Sequence, residues 1–138
     1  MDQKVNLKPL DALELIKENL NIYGSKKEIE SAFLNLITNA IRYTKKNSSI
    51  SISWGLINGL PIFEVKDNGF GIEKKHINRI TERFYRVDPD RSRDSGGTGL
   101  GLSIVKNIMK QHNGELKISS DIGKGSSFKL IFNKESII

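Results

Sequence analysis

Apolar residues recur at helical spacing most clearly in "SKKEIESAFLNLITNAIRYT" (25–44), where Ile29, Ala32, Phe33, Leu36, Ile37, Ala40 and Ile41 share one side. Ser25 and Glu28 form a capping box that fixes the start of this helix. The period then changes to two. "SISISWGL" (49–56) and "PIFEVKD" (61–67) alternate like half-buried strands around a turn at Asn58-Gly59. "KKHINRITERF" (74–84) reads as a short helix. A second long helix is expected from Thr98 to His112, with Leu102, Val105, Ile108 and Met109 on its apolar side and Asn113-Gly114 as its stop. "ELKISS" (115–120) and "SSFKLIF" (126–132) then make a hairpin across "DIGKG". At the N-terminus "PLDALELIKENL" reads as a helix, with a strand through "LELI" into "NIYG" as the alternative.

This order of helices and paired strands predicts an α/β fold: a two-layer α/β sandwich with one mixed sheet and helices on one face. At 138 residues the chain holds a single core of ordinary size, so residues 1–138 are expected to form one domain.

Composition removes several kinds of chemistry. There is no cysteine, so disulfides, thiolate metal sites and cysteine nucleophiles are excluded. No apolar run approaches the roughly 20 residues of a membrane span, so no direct membrane contact by this domain is expected. The net charge of +6 invites a polyanionic partner. Its lysines are scattered (Lys26 and Lys27, Lys45 and Lys46, Lys74 and Lys75), acids are interleaved, and no aromatic-interleaved basic stripe exists. That disfavours nucleic acid, whereas an anion as small as a nucleoside triphosphate suits the charge equally well.

Three stretches carry candidate chemistry. On the first helix, Asn35, Asn39 and Arg42 fall within roughly 60° of one another, a polar stripe at the edge of the apolar face. They are either surface residues or oxygen ligands for a hard cation with an arginine facing phosphate. "KDNGFGI" (66–72) puts Asp67 at a strand end, followed by Gly69 and Gly71. This is either a tight turn or a carboxylate beside glycines that let a flat ligand approach the backbone. "GGTGLGLSIVK" (96–106) is neither a Walker A loop nor a G-x-G-x-x-G fingerprint. Glycines leading into a helix nevertheless present free N–H groups and a positive dipole end to an anion.

Taken in order, "FLNLITNAIRYT", "KDNGFGI", "ERFYR" and "GGTGLGL" resemble the N, G1, F and G2 boxes of the histidine-kinase catalytic domain. That domain belongs to the ATPase group shared with gyrase, Hsp90 and MutL. "GKGSSF" (123–128) resembles its last glycine box, and "ITERFYRVDPDRSRDSGGTGLGLSIVK" is most like the phosphate-regulon sensor kinase branch. The resemblance spans about residues 25–132 and implies a Bergerat-type ATP-binding fold with ATP and Mg²⁺ as cofactors. Asp67 would select adenine, with Gly69 and Gly71 clearing space for the ring. Asn39, with Asn35 beside it, would hold Mg²⁺ against the phosphates. Arg42 would touch phosphate, Tyr43 would pack near ribose and adenine, and Arg86 would reach the γ-phosphate with Tyr85 beside the nucleotide. Gly97, Thr98, Gly99, Leu100, Gly101 and Leu102 would cradle the phosphates, and Ser126 would assist at adenine through water. Residues 86–97 would be the ATP lid.

The resemblance also implies what lies outside the chain. The acceptor would be a histidine on a separate dimerisation and phosphotransfer domain of the same protein, with a cognate response regulator downstream, on the cytoplasmic side of a membrane sensor. Neither His76 nor His112 has the acceptor's sequence context. Asn35 stands where gyrase-like ATPases carry a glutamate base, so rapid hydrolysis is not expected. The segment 1–24 is shorter than the family's usual entry. A related serine-kinase regulator and a non-catalytic ATP-binding interaction module remain the alternatives.

Overall fold

The computed structural model describes residues 20–44, 48–86 and 100–138. The expected N-terminal helix and most of the expected lid (86–97) therefore lie outside the described residues. So do Gly97, Thr98 and Gly99, and the side chain of Tyr43.

Helix α1 runs Lys26–Tyr43, with the Ser25 hydroxyl accepting from Glu28 N at 3.3 Å; this is half of the expected capping box, since the Ser25 N–H goes to His112 Nε2 and not to the Glu28 side chain. Strands β1 (Ile50–Ile57) and β2 (Leu60–Asp67) form a hairpin. Asn58 and Gly59 take φ of 54° and 82°, the left-handed pair that a two-residue turn needs. Helix α2 covers only Lys74–Ile77. The following residues coil in successive three-residue turns (Arg79 N to His76 O, Glu82 N to Arg79 O, Tyr85 N to Glu82 O), and Phe84 at φ 66° ends them. The expected helix over 74–84 is thus mostly turns, because α2 lacks a capping side chain and gains few i→i+4 bonds. Helix α3 (Gly101–Gln111) stops through Asn113 at φ 56°, with Gly114 N donating to Met109 O at 2.8 Å. Strands β3 (Glu115–Asp121) and β4 (Gly125–Ile131) complete the sheet.

The strand order is β1-β2-β4-β3. A mixed sheet was expected, yet all three ladders among the described residues are antiparallel. The two hairpins impose this on the outer ladders, since turns of two or three residues cannot join parallel neighbours, and β2 and β4 pair antiparallel between them. The two-layer α/β sandwich itself is as expected. Alternation along the strands turns Phe63, Val65, Phe128 and Leu130 inward, where they meet Ala32, Leu36, Ile37 and Ala40 of α1 and Val105, Ile108 and Met109 of α3. Phe33 stacks on Phe63 with ring centroids 3.8 Å apart, and Trp54 meets Phe132 edge-on at 5.7 Å. No described helix is long and apolar enough to cross a membrane.

Candidate functional site

The antiparallel register sets Asp67 at the end of β2 between Ile50 and Ser126. Its Oδ1 accepts from Gly69 N at 2.9 Å. Burial pushes the Asp67 carboxyl above its ordinary 3.8, while the backbones of Gly69 and Ser126 pull it down. A β-carbon on Gly69 would stand 3.1 Å from that oxygen and 3.3 Å from Thr44 Cγ2. Glycine therefore keeps the carboxylate accessible where α1 ends.

Gly71 meets a different demand. Its φ is 78°, and a β-carbon there would sit 2.1 Å from the carbonyl oxygen of Asp121. The missing side chain thus admits β3's backbone. Gly125 mirrors it, since its β-carbon would lie 2.0 Å from the Asp67 carbonyl oxygen. Ser126 is buried, and its hydroxyl bonds to Ser120 Oγ at 2.8 Å. Ser120 Oγ also accepts from Ile72 N at 2.7 Å and approaches Gly125 O at 2.9 Å. Ser120, Gly125 and Thr44 were missed from the sequence. Only Gly125 carried a signal there, as the second glycine of "GKG".

At the other end of α1's polar stripe, Asn35 is oriented by its own helix. Its Nδ2 donates to Ser31 O at 2.8 Å, which leaves Oδ1 facing the start of α3. A β-carbon on Gly101 would stand 3.1 Å from that Oδ1. Leu100 caps α3 without a side-chain hydrogen bond, and Leu102 packs half-buried on the core. Asn39 is half-buried and makes no side-chain hydrogen bond among the described residues. Arg42 is exposed in the last turn of α1. The nine steps from Asn35 to Thr44 rise about 13 Å along the helix. The stripe therefore joins the glycine start of α3 at one end to a partly desolvated acid at the other, which suits a ligand with a charged tail and a polar flat head.

The described residues contain no cluster of three His, Asp, Glu or Cys that could hold a metal. A cation here would rely on amide oxygens together with a ligand's own anionic groups, and Asn35 and Asn39 fit that role. Tyr85 turns toward α2, where its hydroxyl hydrogen-bonds His76 Nδ1 and its ring lies 4.7 Å beneath the Arg79 guanidinium. His112 is also engaged, at the foot of α3.

The family described as Histidine kinase-, DNA gyrase B-, and HSP90-like ATPase matches residues 24–136. The chain belongs to that family. The phosphate regulon sensor protein PhoR of Pseudomonas aeruginosa is 46% identical over 113 residues, covering 82% of this chain and 26% of its own length. The histidine-protein kinase ArlS of Staphylococcus aureus is 44% identical over 119 residues, covering 86% of this chain and 26% of its own. The chain thus spans about a quarter of these curated relatives. Among solved structures, the catalytic domain of histidine kinase ThkA superposes with a TM-score of 0.71 at 26% identity, covering 86% of this chain and 75% of that one. Full-length ShkA, solved in complex with AMPPNP, gives 0.68 at 27% identity and covers 80% of this chain and 22% of that one. The expected fold class and the ATP-binding, histidine-kinase-type catalytic domain both follow from these matches.

Proposed function

We propose that this chain binds Mg-ATP along the α1 stripe and presents the γ-phosphoryl group to a histidine on a separate helical dimerisation domain. In that transfer the bond from the γ-phosphorus to the bridging oxygen breaks, a bond to an imidazole nitrogen forms, and ADP leaves. The observation that carries the reading is the orientation of Asn35: its nitrogen is held by Ser31, so an oxygen is offered at the glycine start of α3. Asp67 would accept from the adenine amine, and Asn35 and Asn39 would hold magnesium. When bound, that ion would neutralise phosphate charge and fix its geometry. Arg42 and Arg86 would face phosphate. Gly97, Thr98, Gly99, Leu100, Gly101 and Leu102 would line the cradle, with Tyr43, Gly69, Gly71, Tyr85 and Ser126 around the nucleoside. A response regulator would take the phosphoryl group next, on the cytoplasmic side of a membrane sensor.

Two measurements test this. A fluorescent ATP analogue titrated with and without Mg²⁺ should bind, and bind more tightly with the ion. Radiolabelled ATP should label an added helical hairpin carrying the acceptor histidine and leave this chain unlabelled. Label appearing on this chain alone would overturn the assignment of roles.

A further inference from the structure

The segment between α2 and residue 86 is held more firmly than a surface turn requires. Ile80 is 7% exposed and joins the core, so the turns around it have a fixed base. From that base His76 and Arg79 both reach Tyr85. The His76 Nδ1 and the Tyr85 hydroxyl share a hydrogen bond, with ring centroids 5.8 Å apart. The Arg79 guanidinium covers the tyrosine face at 4.7 Å and is itself held by Glu82, Nε to Oε2 at 3.1 Å. The bulky Phe84 sits at φ 66°, a left-handed conformation that L side chains rarely adopt, with its own ring exposed. That reversal is what turns Tyr85 back onto α2. A strained residue followed by a tyrosine pinned at two points fixes the backbone from which the next side chain, Arg86, departs.

We propose that His76 is a positioning residue for the triphosphate: through Tyr85 it sets the place of Arg86. This rests on the reading of Arg86 as a γ-phosphate contact. Tyr85, expected from the sequence to lie beside the nucleotide, then acts as the link between α2 and that contact. A pinned Arg86 meets the γ-phosphate without first being ordered, so the benefit falls on ATP and not on ADP.

The test is the ratio of ATP to ADP affinity of the whole chain, measured by calorimetry with Mg²⁺. His76→Ala should lower the ratio about three- to ten-fold, the worth of one ordered hydrogen bond, with ADP affinity within about two-fold of wild type. Tyr85→Phe, which keeps the ring under Arg79 and removes only the hydroxyl, should lower the ratio by a similar factor. The double variant should lose no more than either single one. His76→Gln, which returns a polar group at similar reach, should recover part of the loss. Arg86→Gln should reduce the ratio at least as far as His76→Ala. Additive losses, equal weakening of ATP and ADP, or an unchanged ratio in His76→Ala beside a collapsed one in Arg86→Gln would overturn the proposal alone. An unchanged ratio in Arg86→Gln would overturn the reading of Arg86 and the proposal with it.

Discussion

The backbone N–H of Ser25 donates to Nε2 of His112 at 3.1 Å, although the two residues stand 87 positions apart. The other ring nitrogen, Nδ1, lies 2.8 Å from Ile108 O, a carbonyl that can only accept. With Nε2 accepting, Nδ1 is the donor to that carbonyl, and the ring ties the cap of α1 to the last turn of α3. His112→Ala should lower stability by about 1 kcal/mol in denaturant unfolding, since the bond is partly solvated. Nucleotide affinity should not change. A loss of affinity without a loss of stability would assign His112 to the ligand instead.

Asp67→Asn should separate binding from stability. The amide still accepts from Gly69 N but loses its charge, so adenine-nucleotide affinity should fall by about 1–3 kcal/mol. The Asp67 carboxyl is raised above 3.8 on folding, so in the interval between the two values the native state holds the extra proton. Stability therefore falls as pH rises through that interval, and the penalty persists at neutral pH. The variant should be at least as stable as wild type at neutral pH, with the difference closing as pH drops below 3.8. Wild-type adenine binding should weaken on acidification with a midpoint above that same ordinary value. A less stable variant at neutral pH would contradict this account.

Two glycine substitutions should move in opposite directions. Gly71→Ala places a methyl 2.1 Å from a carbonyl oxygen at φ 78°. It should cost about 2–4 kcal/mol in unfolding free energy. Gly101→Ala opens a helix with a better helix former, so stability should hold or rise by up to about 1 kcal/mol. Its methyl would nevertheless crowd Asn35 Oδ1 at 3.1 Å, and ATP affinity should drop. Thermal melts and nucleotide titrations of the two variants check both halves.

Asn39→Ala should leave stability within about 0.5 kcal/mol, because the side chain has no hydrogen bond to lose among the described residues. The Mg²⁺-dependent part of ATP affinity should disappear while the Mg²⁺-independent part remains. Titrations with and without the ion give both parts directly.

Much of this was legible because independent signals agreed. Helix α1 begins where Ser25 and Glu28 say it does and buries the face its apolar period marks out. Asn58-Gly59 named a turn, and the structure has it there with both residues left-handed. Asp67 stood out only in company: an acid at a strand end beside glycines reads equally well as a tight turn, and it was the ordered run of motifs that singled it out. The stretch after α2 was misjudged because its turns look helical in period, and what ends them is the backbone of Phe84. Ser120 was invisible because serine in an alternating strand reads as surface, whereas here its hydroxyl faces Ile72, Gly125 and Ser126. His112 was unreadable for a simpler reason: its partner is distant in the chain, and no local pattern encodes a contact of that range.

Gly71 and Gly125 have one more consequence. Each lets main chain rest directly on main chain, so this border of the proposed adenine site is cast in peptide groups. Exposed side chains flanking it, such as those of Ile122 and Lys124, can drift in evolution or be exchanged by an engineer without reshaping that border. The two positions lacking a β-carbon have no such liberty.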